Sequence, residues 1–388
     1  MNDLRLGVIG SGGRGRYLSR IAHARGAGAR IVATCDVVPA VLARDRVCYG
    51  RSIFTTDDYR ALLDQAELDA VIIASPDFLH EEQAVAALSR GLAVYLEKPM
   101  AISIAGCDRI LRAAASHKAR LYVGHNLRHA RFVRKMKELI DAGAIGRPKA
   151  CWVRHFIANG GDYYFQDWHA ERRFSHGLLL QKAAHDIDIA HWLCGGYSRQ
   201  VSAMGALTVY GDIKRRLPEI PGPRRIEGRI VRREIWPPTR QHGLNHRIDV
   251  EDLSQMLMKL DNGVLANYAQ CHYTPDSWRN FTVIGTEGRI ENFGDVGPDT
   301  TVRLWTRRRP GYFPGGDRVF RLPTNSADHG GADRSIIAEF LRFARRGGKT
   351  DTSPVAARES VATGYMATES LRAGGKPMRV PPPPAGLI

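Results

Sequence analysis

Over the first 125 residues, apolar strand-like runs alternate with helix-length segments, and this pattern limits the possible folds more than any other feature of the chain. Strands are predicted at Leu4–Ile9, Ala29–Cys35, Leu68–Ala74, Ala93–Leu96 and Arg120–Val123, with helices at Tyr17–Ala27, Pro39–Tyr49, Glu81–Arg90 and Ile104–His117. Val71-Ile72-Ile73-Ala74 is apolar at successive positions, as in a strand covered on both faces. Repeated strand–helix units with short connections require right-handed crossovers and a doubly wound parallel sheet.

Beyond a helix at Arg131–Ala142 the texture changes. Ala150–Phe156, Gln200–Tyr210, Leu253–Leu260, Gly263–Gln270 and Phe281–Ile284 read as alternating strands, predicting an open, mostly antiparallel sheet. Asp261-Asn262-Gly263 predicts a hairpin with positive φ at both Asn262 and Gly263, and Gly285–Gly288 a second turn. One helix over Gly177–Leu193 interrupts this half. Helices at Asp333–Arg346 and Val355–Ala373 close the chain, and Pro381–Pro384 reads as a solvated tail. The fold class is α/β in two domains, 1–126 and 127–388, as 388 residues suggest.

No run approaches the roughly 18 apolar residues of a membrane span. The N-terminus lacks the shape of a signal peptide, so a cytoplasmic protein is expected. Six cysteines (35, 48, 107, 151, 194, 271) contain no Cys-x-x-Cys pair, which argues against a zinc knuckle or redox motif and for reduced thiols. The net charge of +16 raises nucleic acid as a partner. Arginine excess also follows from base composition, however, and nucleic acid is not expected. The segment 211–248 concentrates Arg215-Arg216, Arg224-Arg225 and Arg232-Arg233 among prolines and glycines, and reads as a long excursion. Recruitment of an anionic substrate and an intersubunit arm are both open for it.

Gly10-Ser11-Gly12-Gly13-Arg14-Gly15 follows a strand and opens a helix. Gly10 permits the turn, Gly12 lets a pyrophosphate approach the backbone, and Gly15 lets helix and strand pack closely. Asp36, 21 residues after Gly15 at the end of the second strand, suits the adenosine ribose hydroxyls and repels a 2′-phosphate. NAD is expected in preference to NADP, with Arg14 close enough to complicate that exclusion. Lys98, between an apolar strand end and Pro99, could polarise a carbonyl or stabilise an alkoxide.

With these residues the chain resembles the Gfo/Idh/MocA family of nicotinamide-dependent oxidoreductases over nearly its whole length. Glu97-Lys98-Pro99 is the family's most diagnostic tripeptide. Ala74-Ser75-Pro76-Asp77-Phe78-Leu79-His80 is similar to the segment that lines the nicotinamide side in the family. Val123-Gly124-His125-Asn126 with Arg128 resembles the strand end leading into the second domain, and His185-Asp186-Ile187-Asp188 resembles the catalytic helix. Asp249–Asp252 through Gly288 fits the family's sheet domain. The resemblance implies a Rossmann domain followed by an α/β domain whose open sheet makes dimers or tetramers. It implies cofactor contacts from Ser75, Pro76, His80, Glu97, Lys98 and Asn126, and substrate contacts from Lys98, His125, Trp168, Lys182 and His185. The implied chemistry is hydride transfer to or from a secondary alcohol or ketone of a sugar or cyclitol. A redox-neutral enzyme holding NAD tightly, and a non-catalytic NAD-binding regulator, are alternatives.

The catalytic helix departs from the family's commonest pattern, in which an aspartate stands four residues before the histidine. Here that residue is Gln181, followed by Lys182. On one continuous helix, 181 and 182 both lie within roughly 60° of His185. His185 is then the expected proton carrier, with Lys182 holding the substrate oxygen or lowering the pKa of His185. His185, Asp188 and His191 do not share a helix face, so no metal is expected. Among Trp152, Tyr163, Tyr164 and Trp168, Trp168 is the favoured sugar-stacking residue because it precedes this helix.

Overall fold

The computed structural model describes residues 3–218, 236–324 and 328–386. Its internal contacts divide it into two units, one of residues 1–126, 333–358 and 383–388, the other of 127–332 and 359–382. Among the described residues, no helix is long and apolar enough to cross a membrane.

The first unit runs β1 (Leu4–Ile9), α1 (Gly13–His23), β2 (Ala29–Cys35), α2 (Pro39–Tyr49), β3 (Phe54–Thr56), α3 (Tyr59–Gln65), β4 (Ala70–Ile73), α4 (His80–Leu88), β5 (Ala93–Leu96), α5 (Ile104–Ser116) and β6 (Leu121–Val123). Its parallel sheet has the order β3-β2-β1-β4-β5-β6. The chain winds outward from β1 to β3, then restarts at β4 on the other flank of β1. At that reversal the C-terminal strand ends leave a crevice, where dinucleotides bind in such sheets. The three-residue β3 and the seven-residue α3 are too short to announce themselves by periodicity. Helix α1 starts four residues earlier than predicted, because the last residues of the glycine loop already form its first turn.

The second unit begins with α6 (Arg131–Asp141) and β7 (Pro148–Phe156), then the one-turn helices α7 (Gly160–Tyr163), α8 (Arg172–Ser175) and α9 (Leu178–Gln181), followed by α10 (Ala184–Cys194). Strands β8 (Ser198–Ala206), β9 (Leu253–Leu260), β10 (Leu265–Cys271), β11 (Trp278–Gly285), β12 (Arg289–Phe293), β13 (Thr301–Trp305) and β14 (Arg318–Arg321) follow. The helices α11 (Asp328–Arg346) and α12 (Pro354–Arg372) and a short β15 (Met378–Arg379) complete the chain. The nine-stranded sheet has the order β14-β13-β12-β11-β7-β10-β9-β8-β15. It is antiparallel except for the β7–β10 pair.

Four expectations change here. Strand β8 stops at Ala206 rather than Tyr210, because the N–H groups of Thr208, Val209 and Tyr210 donate to the Asp252 carboxylate at 2.7–2.9 Å instead of to a strand. The β9–β10 turn is a three-residue loop, with Gly263 N–H donating to Leu260 and positive φ at Gly263 but not at Asn262. The helix predicted over 177–193 is two helices, α9 and α10. The closing prolines are only partly solvated: Pro383 is buried, and just before them Val380 is fully buried, its N–H donates to the Arg199 carbonyl, and Met378–Arg379 pairs with β8.

One sheet face is covered by helices and buries Val153, Met256, Met258 and Tyr268. On the other face Trp152, Leu257, Leu265 and Met204 are exposed, with Trp152, Asn267 and Leu257 in one cross-strand row. The core of the first unit includes residues from far along the chain. Ile336, Ile337, Phe340 and Leu341 of α11 pack with Leu6, Leu18, Ile31, Ile72, Tyr95 and Tyr122. Of the arginine-rich excursion, Arg224, Arg225, Arg232 and Arg233 lie outside the described residues. Its two ends are clipped together where Gly243 N–H donates to Leu217 and His242 Nδ1 lies 2.9 Å from the Pro218 carbonyl.

Candidate active site

In the first unit the glycine loop is built as the motif requires. Gly10 has φ +81°, and a Cβ there would come within 2.5 Å of the Ser75 nitrogen. A Cβ on Gly15 would sit 2.0 Å from the Gly10 carbonyl oxygen, so Gly15 is needed for the loop itself as well as for packing. Gly12, by contrast, faces open space. Helix α1 has no side-chain cap and no acid in its first turn, so its free N–H groups remain available for an anion. The residues present fit a dinucleotide pyrophosphate. Asp36 ends β2 and accepts from the Val38 N–H at 3.0 Å, and burial raises its pKa. The cation beside Asp36 is Arg44, whose Nη2 donates to the Ser11 carbonyl in the loop at 2.6 Å.

Arg14 is engaged by two carboxylates. Its guanidinium is held by Glu97 at 2.7 Å and Asp333 at 2.8 Å. Asn126 Nδ2 donates to the same Asp333 oxygen at 2.9 Å, and Glu97 also receives the Lys98 N–H at 3.1 Å and the Tyr95 hydroxyl at 3.2 Å. His80 is fully buried, its ring nitrogens 2.8 Å from the Pro99 carbonyl and 3.0 Å from that of Ser75, and burial lowers its pKa. Arg14, Glu97, Asn126 and His80, expected as cofactor contacts, thus form a scaffold around the half-buried Lys98. Ser75 Oγ donates to Gln83 Oε1 at 2.5 Å, and the Ser75 backbone packs against Gly10 of the glycine loop. Asp333 has no place in the sequence motifs and supplies the carboxylate that joins Arg14 to Asn126.

The second unit holds a separate polar cluster. Strands β11, β7, β10 and β9 present Arg279, His155, Gln270 and Ser254 as paired neighbours on the covered sheet face. That face is otherwise largely apolar, and all four residues are buried. Asp186 of α10 reaches this row. One of its oxygens lies 2.8 Å from His155 Nδ1 and accepts from the Tyr268 hydroxyl at 3.0 Å, and the other pairs with Arg279 Nε at 2.8 Å. The arginine holds the Asp186 carboxyl far below the usual carboxylate range despite its burial. Burial holds His155 at about 3, so the ring is neutral and carries its proton on Nδ1, toward Asp186.

Lys182 lies at the break between α9 and α10, a wide turn in which the Ala183 N–H donates to the Leu178 carbonyl five residues back. The single-helix geometry expected for 181, 182 and 185 is therefore replaced. Gln181 is buried, with Oε1 unpartnered among the described residues, and His185 is half-buried in the first turn of α10. The Lys182 ammonium lies 5.4 Å over the Tyr164 ring and makes no ion pair among the described residues. Burial and the neighbouring Arg279 cation bring its pKa down to about 8, against the pull of Asp186 and Asp295. Trp168 stacks on His169 with ring centroids 3.6 Å apart, and Trp152 lies on the open sheet face, away from this cluster.

Asp188 and His191 have structural partners. Arg128 grips Asp188 through Nε and Nη2 at 2.7 and 2.6 Å, and His191 Nε2 accepts from the Ser198 N–H at 3.1 Å. Asp188→Ala removes the two-point carboxylate partner of the buried Arg128 guanidinium, and is expected to cost about 3–5 kcal/mol of unfolding free energy. Urea denaturation of both proteins measures it; a loss within about 1 kcal/mol would show the pair to be exposed to water in solution.

Two family models match the chain: an oxidoreductase-family NAD-binding Rossmann fold over residues 4–125, and a Gfo/Idh/MocA C-terminal domain over residues 133–291. The 2,7-anhydro-N-acetylneuraminate hydratase of Mediterraneibacter gnavus is 31% identical over 208 residues, 53% of each chain. An inositol 2-dehydrogenase of Salmonella typhimurium is 30% identical over 194 residues, 49% of this chain and 54% of the relative. The chain thus spans about half the length of these two relatives. A solved levoglucosan dehydrogenase, in complex with NADH and L-sorbose, shares the fold with a TM-score of 0.75 at 22% identity, covering 98% of this chain and all of that one. A glycine loop that leaves α1 open, the Glu97-Lys98-Pro99 scaffold and the two family matches lead to one assignment: the chain is an NAD-binding oxidoreductase of the Gfo/Idh/MocA family.

Proposed function

We propose that the protein oxidises a secondary alcohol, or reduces the matching ketone, of a sugar, sugar derivative or cyclitol. The observation that carries this reading is Lys182, a half-buried amine without an ion-pair partner among the described residues, whose pKa of about 8 suits proton exchange near neutrality. Bound NAD supplies the hydride acceptor in one direction and the donor in the other. In the proposal Lys98 stabilises the charge on the reacting oxygen and Lys182 takes or gives its proton. Asp186, fixed by Arg279, His155 and Tyr268, sets the field at Lys182. Polyhydroxylated substrates suit a site with so many fixed donors and acceptors, and relatives named as acting on inositol and an anhydro sugar acid support that class. The exposed Trp152–Leu257 face supports a homodimer or homotetramer.

The test is a screen of free, phosphorylated and nucleotide-linked sugars and cyclitols for absorbance change at the NADH band. A protein that binds NAD yet turns over no polyol would refute the proposal. A second reading, supported by the hydratase relative, is redox-neutral addition or elimination with NAD retained. Turnover without added NAD, by protein purified with stoichiometric cofactor, would select it.

Asp36→Ala is expected to weaken NAD binding and to improve NADP relative to NAD, because the carboxylate that accepts from the ribose hydroxyls and repels a 2′-phosphate is gone while Arg44 stays beside that position. Dissociation constants for both cofactors measure this. An unchanged ratio would remove Asp36 from the ribose site.

A further inference from the structure

The outer surface of the first unit carries a groove of about 350 Å³, lined by Arg16, Arg20, His23, Ala24, Cys48 and Tyr49. Its walls are α1 with its C-terminal cap residue and the last turn of α2. At 1.5 Å per residue, His23 lies about 15 Å down α1 from Gly13, so the groove runs away from the glycine loop.

The chemistry of the lining is one-sided. Arg16 and Arg20 have no carboxylate partner among the described residues, and Arg16 Nε is buried without any hydrogen-bond acceptor. A buried guanidinium N–H with no acceptor calls for one from outside. The Ile31 N–H donates to His23 Nδ1 at 3.2 Å, which leaves Nε2 of the neutral ring to carry its proton as a further donor. The Tyr49 hydroxyl is engaged with Ser19 Oγ at 2.6 Å. No acid lines the groove, and Asp45, the one carboxylate of α2, is buried and paired with Arg44 at 2.9 Å. Two helix C-termini oppose an anion here with about half a negative charge each, against two full guanidinium charges, so the balance stays positive. Paired guanidinium groups match the oxygens of phosphate. The volume, near the lower end for small-molecule sites, suits one or two phosphoryl groups with a small organic remainder.

We infer that this groove binds the phosphate or diphosphate group of a small metabolite, at a site separate from the cofactor loop. Cys48 reports on it directly, because it is the one exposed cysteine and it lines the groove.

The experiment uses the full-length protein with saturating NAD, which blocks the glycine loop, and inorganic pyrophosphate as probe. Alkylation of Cys48 by uncharged iodoacetamide is followed by peptide mass. Pyrophosphate at ten times its Kd is expected to slow the reaction about tenfold, with potassium chloride of equal ionic strength having no effect. In Arg16→Gln/Arg20→Gln the protection is expected to vanish. If that double variant fails to bind NAD or to fold, Arg20→Gln alone, at an exposed position, is expected to reduce protection severalfold. Absent protection in the natural protein, equal protection by chloride, or protection surviving in the folded double variant would each overturn the inference.

Discussion

Lys98→Ala is expected to lower kcat by about two orders of magnitude or more while leaving the Kd for NAD within about tenfold. The split between the two effects follows from the scaffold. Glu97, Arg14, Asp333 and Asn126 are bonded to one another and to the Lys98 backbone N–H, so truncating the side chain leaves that arrangement and the glycine loop intact. What disappears is a single positive charge. If that charge acts on the oxygen whose bonding changes, the loss falls on the transition state and appears in kcat. Single-turnover rates beside fluorescence titration of NADH separate chemistry from binding. A variant with near-normal turnover would remove Lys98 from the reaction.

Lys182→Met is expected to reduce kcat by a similar factor and, more tellingly, to abolish a pH-dependent limb. Alcohol oxidation needs the free amine, so its rate should climb with pH and level off above about 8; ketone reduction needs the ammonium and should fall through the same range. The sign of a second variant is fixed by the same electrostatics. Arg279 lowers the Lys182 pKa by like-charge repulsion, so Arg279→Gln should move the limb to higher pH. Profiles of kcat under saturating substrate measure both. A limb that survives in Lys182→Met would return the proton to His185.

The Rossmann half was legible because its signals are local. Buried parallel strands, a glycine loop with φ +81° at Gly10 and an acid at the end of β2 each leave a mark within a short window. The catalytic region was less so. Angular arithmetic puts Gln181, Lys182 and His185 on one helix, and nothing in Leu178–Ala183 announces the five-residue hydrogen bond that breaks it. His155, Arg279 and Tyr268 lie on three strands that meet only through sheet register. A signal existed: in β7, β9 and β10 an alternating buried series ends in a polar residue, His155, Ser254 and Gln270, and pairing brings these to one level. Asp333, two hundred residues from Asn126, left no local trace.

The placement of α11 also bears on how the chain is made. Synthesis delivers the parallel strands first, but Ile336, Ile337, Phe340 and Leu341, which cover Tyr95, Tyr122 and Leu18, emerge only after some two hundred further residues. At the usual pace of roughly 5–20 residues per second, the nascent domain waits about 10–40 s on the ribosome with that apolar face bare. Asp333, the counter-ion of Arg14, arrives in the same late segment. A polypeptide ending at residue 126 therefore holds the whole cofactor motif and lacks part of its own core.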